Sequence, residues 1–191
     1  GLLVAVGFLA MAIWSVTTQW RFPEALPAGL TLANWTRHSA GVADAAWNTL
    51  SVAACTAVLS LGLSVGVLEF EASTGRRTAF SSTGLLYLPL LLPQVAFLFG
   101  VQILLAVLRL DGSWIALAWL HLVFVFPYVF LALCDAYRAW DERYRRTGLC
   151  LGASSIRVLW RIKLPMLFRP IAAAGAVGFS VSVGQYLPTL F

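Results

Sequence analysis

Of the 191 residues, 60% are hydrophobic and only 11% charged, and the mean hydropathy is +0.85. A soluble globular domain carries about 25% charged residues, so this composition belongs to an integral membrane protein. The net charge of +5 does not point to nucleic acid: the basic residues cluster beside apolar spans, where topology and anionic lipid account for them.

The chain opens inside an apolar stretch, with no initiating Met and no basic n-region, so no signal peptide is argued and a fragment of a longer polypeptide, truncated at both ends, is expected. Residues 2–20 are uncharged and long enough to cross about 30 Å of hydrocarbon, with Trp14 and Trp20 suited to the interface. Residues 18–44 are mixed and polar and read as an extramembrane loop. Residues 45–68 form a second span, in which Gly62 and Gly66 make a small-xxx-small face for a close helix neighbour. A short polar connection at 69–82 carries Arg76 and Arg77. A third span, 84–108, has Pro89 and Pro93 near its start and Gln94 and Gln102 within it. Proline removes a backbone donor, so that end is expected in a bundle or beside a cavity.

Arg109 to Ser113 is a tight turn, and residues 114–134 are a fourth span containing His121, Pro127 and Tyr128. Residues 135–169 are a basic island, and a fifth span, 170–191, follows, with Gln185 and Tyr186 as its polar atoms. Cys55, Cys134 and Cys150 have no CxxC spacing and no neighbouring histidine, which indicates neither a disulfide framework nor a metal site. Placing the island in the cytoplasm puts ten of the 13 Lys and Arg residues inside, against Arg21, Arg37 and Arg109 outside. The start of span one is then cytoplasmic.

Within the island Gly152 is predicted to end one short helix. Ser154 or Ser155 caps the next, in which Ile156, Leu159 and Trp160 fall at helical spacing and Pro165 limits continuation. Physics alone leaves two uses for such a knob: an amphipathic elbow on anionic lipid, or a docking surface for something soluble.

Thr147, Gly148, Gly152, Ile162, Leu164 and Pro165 fill the spacing small-small-x3-Gly-x9-Ile-x-Leu-Pro. This resembles the EAA loop of the permease subunits of bacterial ABC importers of the binding-protein-dependent, MetI-like type. The likeness continues through Asn48-Thr49-Leu50, Leu88-Pro89, Leu92-Pro93, Gly112-Ser113, Pro127-Tyr128, Leu151-Gly152-Ala153-Ser154 and Gly178-Phe179-Ser180-Val181-Ser182. Arg146 stands where the family has its motif glutamate, and Thr147 and Gly148 where it has alanines. The run from Gly184 to Phe191 looks like permeases grouped with thiamine, ferric-iron, polyamine and sulfate uptake.

The resemblance implies an all-α polytopic transmembrane bundle, a single domain over 1–191, with five visible spans of a six-span core and a cytoplasmic coupling loop at 136–166. It implies a permease subunit in the bacterial inner membrane, paired with itself or a homologous half, with a cytoplasmic ABC ATPase and with an extracytoplasmic solute-binding protein. Coupling to the ATPase then falls to Arg146, Thr147, Gly148, Gly152, Ala153, Ile162, Leu164 and Pro165. The chain has no Gly-x4-Gly-Lys-Ser/Thr phosphate loop, so ATP is expected on the partner and no cofactor or catalytic set on this chain. Gln94, Tyr128, Gln185 and Tyr186 are candidate pathway residues, because polar groups inside spans face the bundle or a wet route. The arginines of the island equally suit lipid headgroups. A non-transporting membrane scaffold and a secondary transporter are the alternative readings; the second calls for internal repeats.

Overall fold

A computed structural model describes residues 2–18, 29–75, 88–91, 93–110 and 112–185, apart from the side chains of Leu3 and Gln94. The described residues form helices joined by turns, with one isolated bridge between Thr17 and Leu30, and the chain divides into two units, Gly1–Asn48 and Thr49–Phe191.

In the first unit, α1 (Leu2–Ser15) is a 14-residue apolar helix. Leu2, Phe8 and Trp14 are all exposed, as on a helix surrounded by lipid. At roughly 21 Å it is shorter than the span expected over 2–20. The chain turns instead: the Thr31 N–H donates to the Val16 carbonyl at 2.7 Å, the Thr18 N–H to Gly29 at 3.0 Å, and the Asn34 amide reaches the Thr17 carbonyl at 3.1 Å. Trp20 and Arg21 lie outside the described residues.

Helix α2 (Ala33–Thr74) is 42 residues long, its start in the first unit and its remainder in the second. It corrects two expectations, the loop reaching residue 44 and the polar connection beginning at residue 69. The Thr31 hydroxyl accepts from the Ala33 N–H at 3.1 Å, and Ala40, Ala43, Ala45 and Ala46 favour helix whatever their hydropathy. A hydropathy reading registers only the apolar middle of such a helix. At its far end α2 passes Glu69 and Glu71 and stops at Gly75, whose φ of +66° glycine adopts without a Cβ clash. Arg76 and Arg77 are outside the described residues.

The second unit continues with α3 (Gln94–Val107), which begins directly after Pro93. The single span expected over 84–108 is therefore not one helix: residues 88–91 form a separate turn, and Pro93 has no N–H to carry the ladder across. Leu98, Val101 and Leu105 pack on Ala116, Leu120 and Phe124 of α4 (Trp114–Arg138), with Phe97 edge-on to Phe124 at 5.4 Å. The turn between these helices has Arg109 at φ +55° and Gly112 at φ +68°, and the Ser113 hydroxyl caps α4 by accepting from the Ala116 N–H at 3.2 Å.

After α4 come α5 (Glu142–Cys150), α6 (Ser155–Val158), a π-turn (Leu159–Lys163), α7 (Leu164–Met166) and α8 (Phe168–Val183). Val125, Val129, Phe130 and Leu133 of α4 form a core with Leu68 of α2 and Ala174 of α8. Gly178 lets α8 lie close to α4, since a Cβ there would come within 2.5 Å of a Val129 methyl. Pro165 does not stop the helical path as expected. The π-turn just before it moves the Arg161 carbonyl off the α-helical register, where the proline ring would clash and no N–H is offered. The break falls at Leu167 instead, and Ser155–Met166 meets Phe168–Val183 at 76°.

By length and apolarity α2 and α4 each suffice to cross a membrane, and the bent pair supplies a third crossing if taken as one broken span. With the shorter α1 and α3, an apolar helix stands at each of the five expected positions, though not five helices of spanning length among the described residues.

Candidate coupling site

The elbow is built from local signals. Asp141 caps α5 by accepting from the Arg143 N–H at 2.9 Å. Gly152, at φ +81°, closes the helix while the Ala153 N–H bonds back to Gly148 O at 3.0 Å and the Gly152 N–H to Leu149 O at 3.0 Å. Ser154, in extended conformation, then leads into α6. The chain doubles back so tightly that a Cβ on Gly148 would lie 2.8 Å from a Val158 methyl and 3.5 Å from Ile162 Cδ1.

Of the eight coupling residues expected from the sequence, the fold brings Gly148 and Ile162 together inside the elbow. Arg146, Thr147 and Gly152 are on its exposed side, the Thr147 hydroxyl donating to Arg143 O at 3.0 Å. Ala153 is half-buried beside Gly152. Leu164 and Pro165, with Trp160 and Phe168, wall an open apolar groove of about 860 Å³ whose opposite side is Leu61, Gly62, Val65 and Gly66 of α2. The small-residue face at Gly62 and Gly66 thus meets open space, not the close neighbour expected there.

A cluster that sequence reasoning missed ties the elbow to the bundle. Lys163 is buried, and its Nζ donates to Glu69 Oε2 at 2.8 Å. The same oxygen accepts from the Tyr137 hydroxyl at 2.7 Å. The ammonium also lies 4.0 Å from the Tyr137 ring centre and 4.9 Å from that of Trp140. Beside it Arg138 grips both oxygens of Glu71, its closest contact being 2.9 Å. The available signal was the chain's only lysine set between Ile162 and Leu164, with two acids ending an apolar stretch at Leu68-Glu69-Phe70-Glu71.

The pathway candidates do not converge on one surface. Tyr128 is exposed on α4, whereas Gln185 is nine-tenths buried at the end of α8, its Oε1 lacking a hydrogen-bond partner among the described residues. The Gln94 side chain and Tyr186 lie outside the described residues. What the bundle does contain is a polar junction of three helices: Ser182 Oγ is 2.8 Å from His121 Nδ1 and 3.1 Å from Thr56 Oγ1. His121 is thereby bonded to a neighbouring helix.

An apolar, all-helical bundle with a basic elbow pinned to its end defines a multi-pass α-helical membrane protein. Residues 58–191 match the family described as "Binding-protein-dependent transport system inner membrane component", and the chain belongs to that family. It is 40% identical over 106 residues to the inner membrane ABC transporter permease protein YnjC of Escherichia coli K12, covering 56% of this chain and 21% of that protein. It is 28% identical over 156 residues to the molybdenum transport system permease protein ModB of Mycobacterium tuberculosis H37Rv, covering 74% and 58%. Against the spermidine/putrescine transport system permease protein PotC of E. coli K12 it is 23% identical over 109 residues, covering 57% and 41%. The chain thus spans between about a fifth and three fifths of the length of these relatives.

Proposed function

We propose that this chain is the part of an ATP-binding-cassette importer's permease subunit that carries the coupling elbow, forming the solute pathway with a second permease subunit or half. A separate cytoplasmic ATPase binds the ATP and docks on the exposed side of α5 and α6, and an extracytoplasmic binding protein delivers the solute. The observation that carries this reading is the elbow itself, closed by Gly148 against Val158 and Ile162 and presenting Arg146, Thr147, Gly152 and Leu151 outward. An apolar side chain as exposed as Leu151, at 83%, on a basic surface suits burial against a partner. Substrate is not narrowed by the relatives, whose names refer to spermidine, putrescine and molybdenum.

The test is to co-express the full-length permease with the ATPase encoded beside it and purify through a tag on the permease. The parent should bring down the ATPase, and Gly152→Arg, which puts a long side chain at a left-handed position on the docking face, should lose it while still inserting. If neither retains an ATPase, the elbow is not a docking site and the membrane scaffold takes its place.

A further inference from the structure

Gripping an elbow moves a bundle only if the elbow is fastened to it. Direct backbone continuity fastens α7 to α8, but it does so through the 76° bend at Leu167. Helix α2 is distant in sequence and is reached only across space. Its far end is held to the elbow by the buried Lys163, whose Nζ sits 2.8 Å from Glu69 Oε2, with the Arg145 charge of α5 also acting on that carboxylate. That oxygen is shared with the Tyr137 hydroxyl of α4 at 2.7 Å, so a single carboxylate oxygen joins three elements.

Three further features suit a transmission joint. Lys163 closes the π-turn, so the register shift that accommodates Pro165 also sets the direction in which the lysine leaves the helix. Its side chain is 3% exposed and lies against Tyr137 and Trp140, which keeps water from competing for the ammonium. A cavity of about 230 Å³, lined by Glu71, Tyr137, Arg138, Trp140 and Lys163 among others, adjoins it, so charge as well as packing holds this corner. The neighbouring Arg138–Glu71 pair binds α4 to α2.

We infer that Lys163 is a positioning residue for coupling: through Glu69 and Tyr137 it makes α2 and α4 follow the elbow when the ATPase moves it. This rests on the permease reading above and adds to it a named route. The full-length permease in complex with its ATPase provides the test, with native Cys55 on α2, half-buried, as reporter. Its rate of modification by a maleimide is measured without nucleotide and after trapping with ATP and vanadate.

In the parent the two rates should differ by about threefold or more. In Lys163→Met, which keeps length and burial but not charge, the ATPase should still co-purify and hydrolyse ATP while the difference in Cys55 rate disappears. Lys163→Arg should restore it. A Lys163→Met complex that keeps the parental difference, or a parent that shows none, overturns the inference. If the methionine variant does not assemble, acylation of the parent's own Lys163 by N-hydroxysuccinimidyl acetate, read by peptide mass spectrometry, decides. Protection in both nucleotide states supports a joint that travels as a unit, and reaction in either state overturns it. A parent that binds no ATPase removes the permease reading and this inference with it, an outcome distinct from loss of the Lys163 effect alone.

Discussion

At the scale of single residues, two glycines four positions apart in α5 and its exit act by different means. Gly152 is needed for its backbone, at φ +81°, and has no atom within 4 Å of where a Cβ would be; Gly148 is needed for its missing side chain. Replacing Gly148 by valine forces a branched side chain into the Val158 and Ile162 contacts and should cost about 1–3 kcal/mol by overpacking, seen as a lower unfolding temperature in detergent. An unchanged melt would show that α5 and α6 do not pack this closely. Gly152 was legible in the sequence because a glycine marks a helix end through its backbone, whereas Gly148 entered only through the motif resemblance. Lys163 and Glu69 were not legible, since 94 residues separate them and an ion pair between distant helices imposes no spacing on either.

Helices fail or hold together through contacts of another kind. Ser182 on α8 is the shared partner of His121 on α4 and Thr56 on α2. Ser182→Ala should strip a hydrogen-bonding partner from both at once, for roughly 0.5–2 kcal/mol. Combined with Thr56→Val the loss should fall short of the sum, because both substitutions remove the same bond. Additive losses in a double-mutant cycle of detergent unfolding would dissolve the junction. The positions of the five apolar helices were legible because each is a run of hydrophobic residues. Their ends were not: α2 outruns its apolar core on alanine propensity and capping, α3 is cut at Pro93, and the π-turn lets the chain pass Pro165 to break at Leu167.

For the molecule as a whole, membership of the family establishes a multi-pass inner membrane protein, and the positive-inside rule predicts a cytoplasmic elbow. With the elbow cytoplasmic, Cys150 is an exposed thiol on the inner side, whereas Cys134 is buried. A membrane-impermeant maleimide should leave Cys150 unmodified in intact spheroplasts and modify it in inverted membrane vesicles. The reverse pattern would invert the topology and place the elbow beyond reach of any cytoplasmic ATPase. The lysine and arginine count is what predicts this sidedness, and it does so from charge and not from packing.

The reach of α2 has a further consequence for the membrane in which the protein works. Its 42 residues amount to roughly 63 Å of helix, of which residues 45–68 supply about 36 Å of apolar length for a bilayer core near 30 Å. Sliding along the bilayer normal leaves this excess unchanged, and Glu69 and Glu71, bound to Lys163 and Arg138, tie one end of the helix to the elbow and to α4. The excess length is absorbed by tilt, by a kink or by local thickening of the bilayer, each of which makes the setting of α2 depend on acyl-chain length in the surrounding lipid.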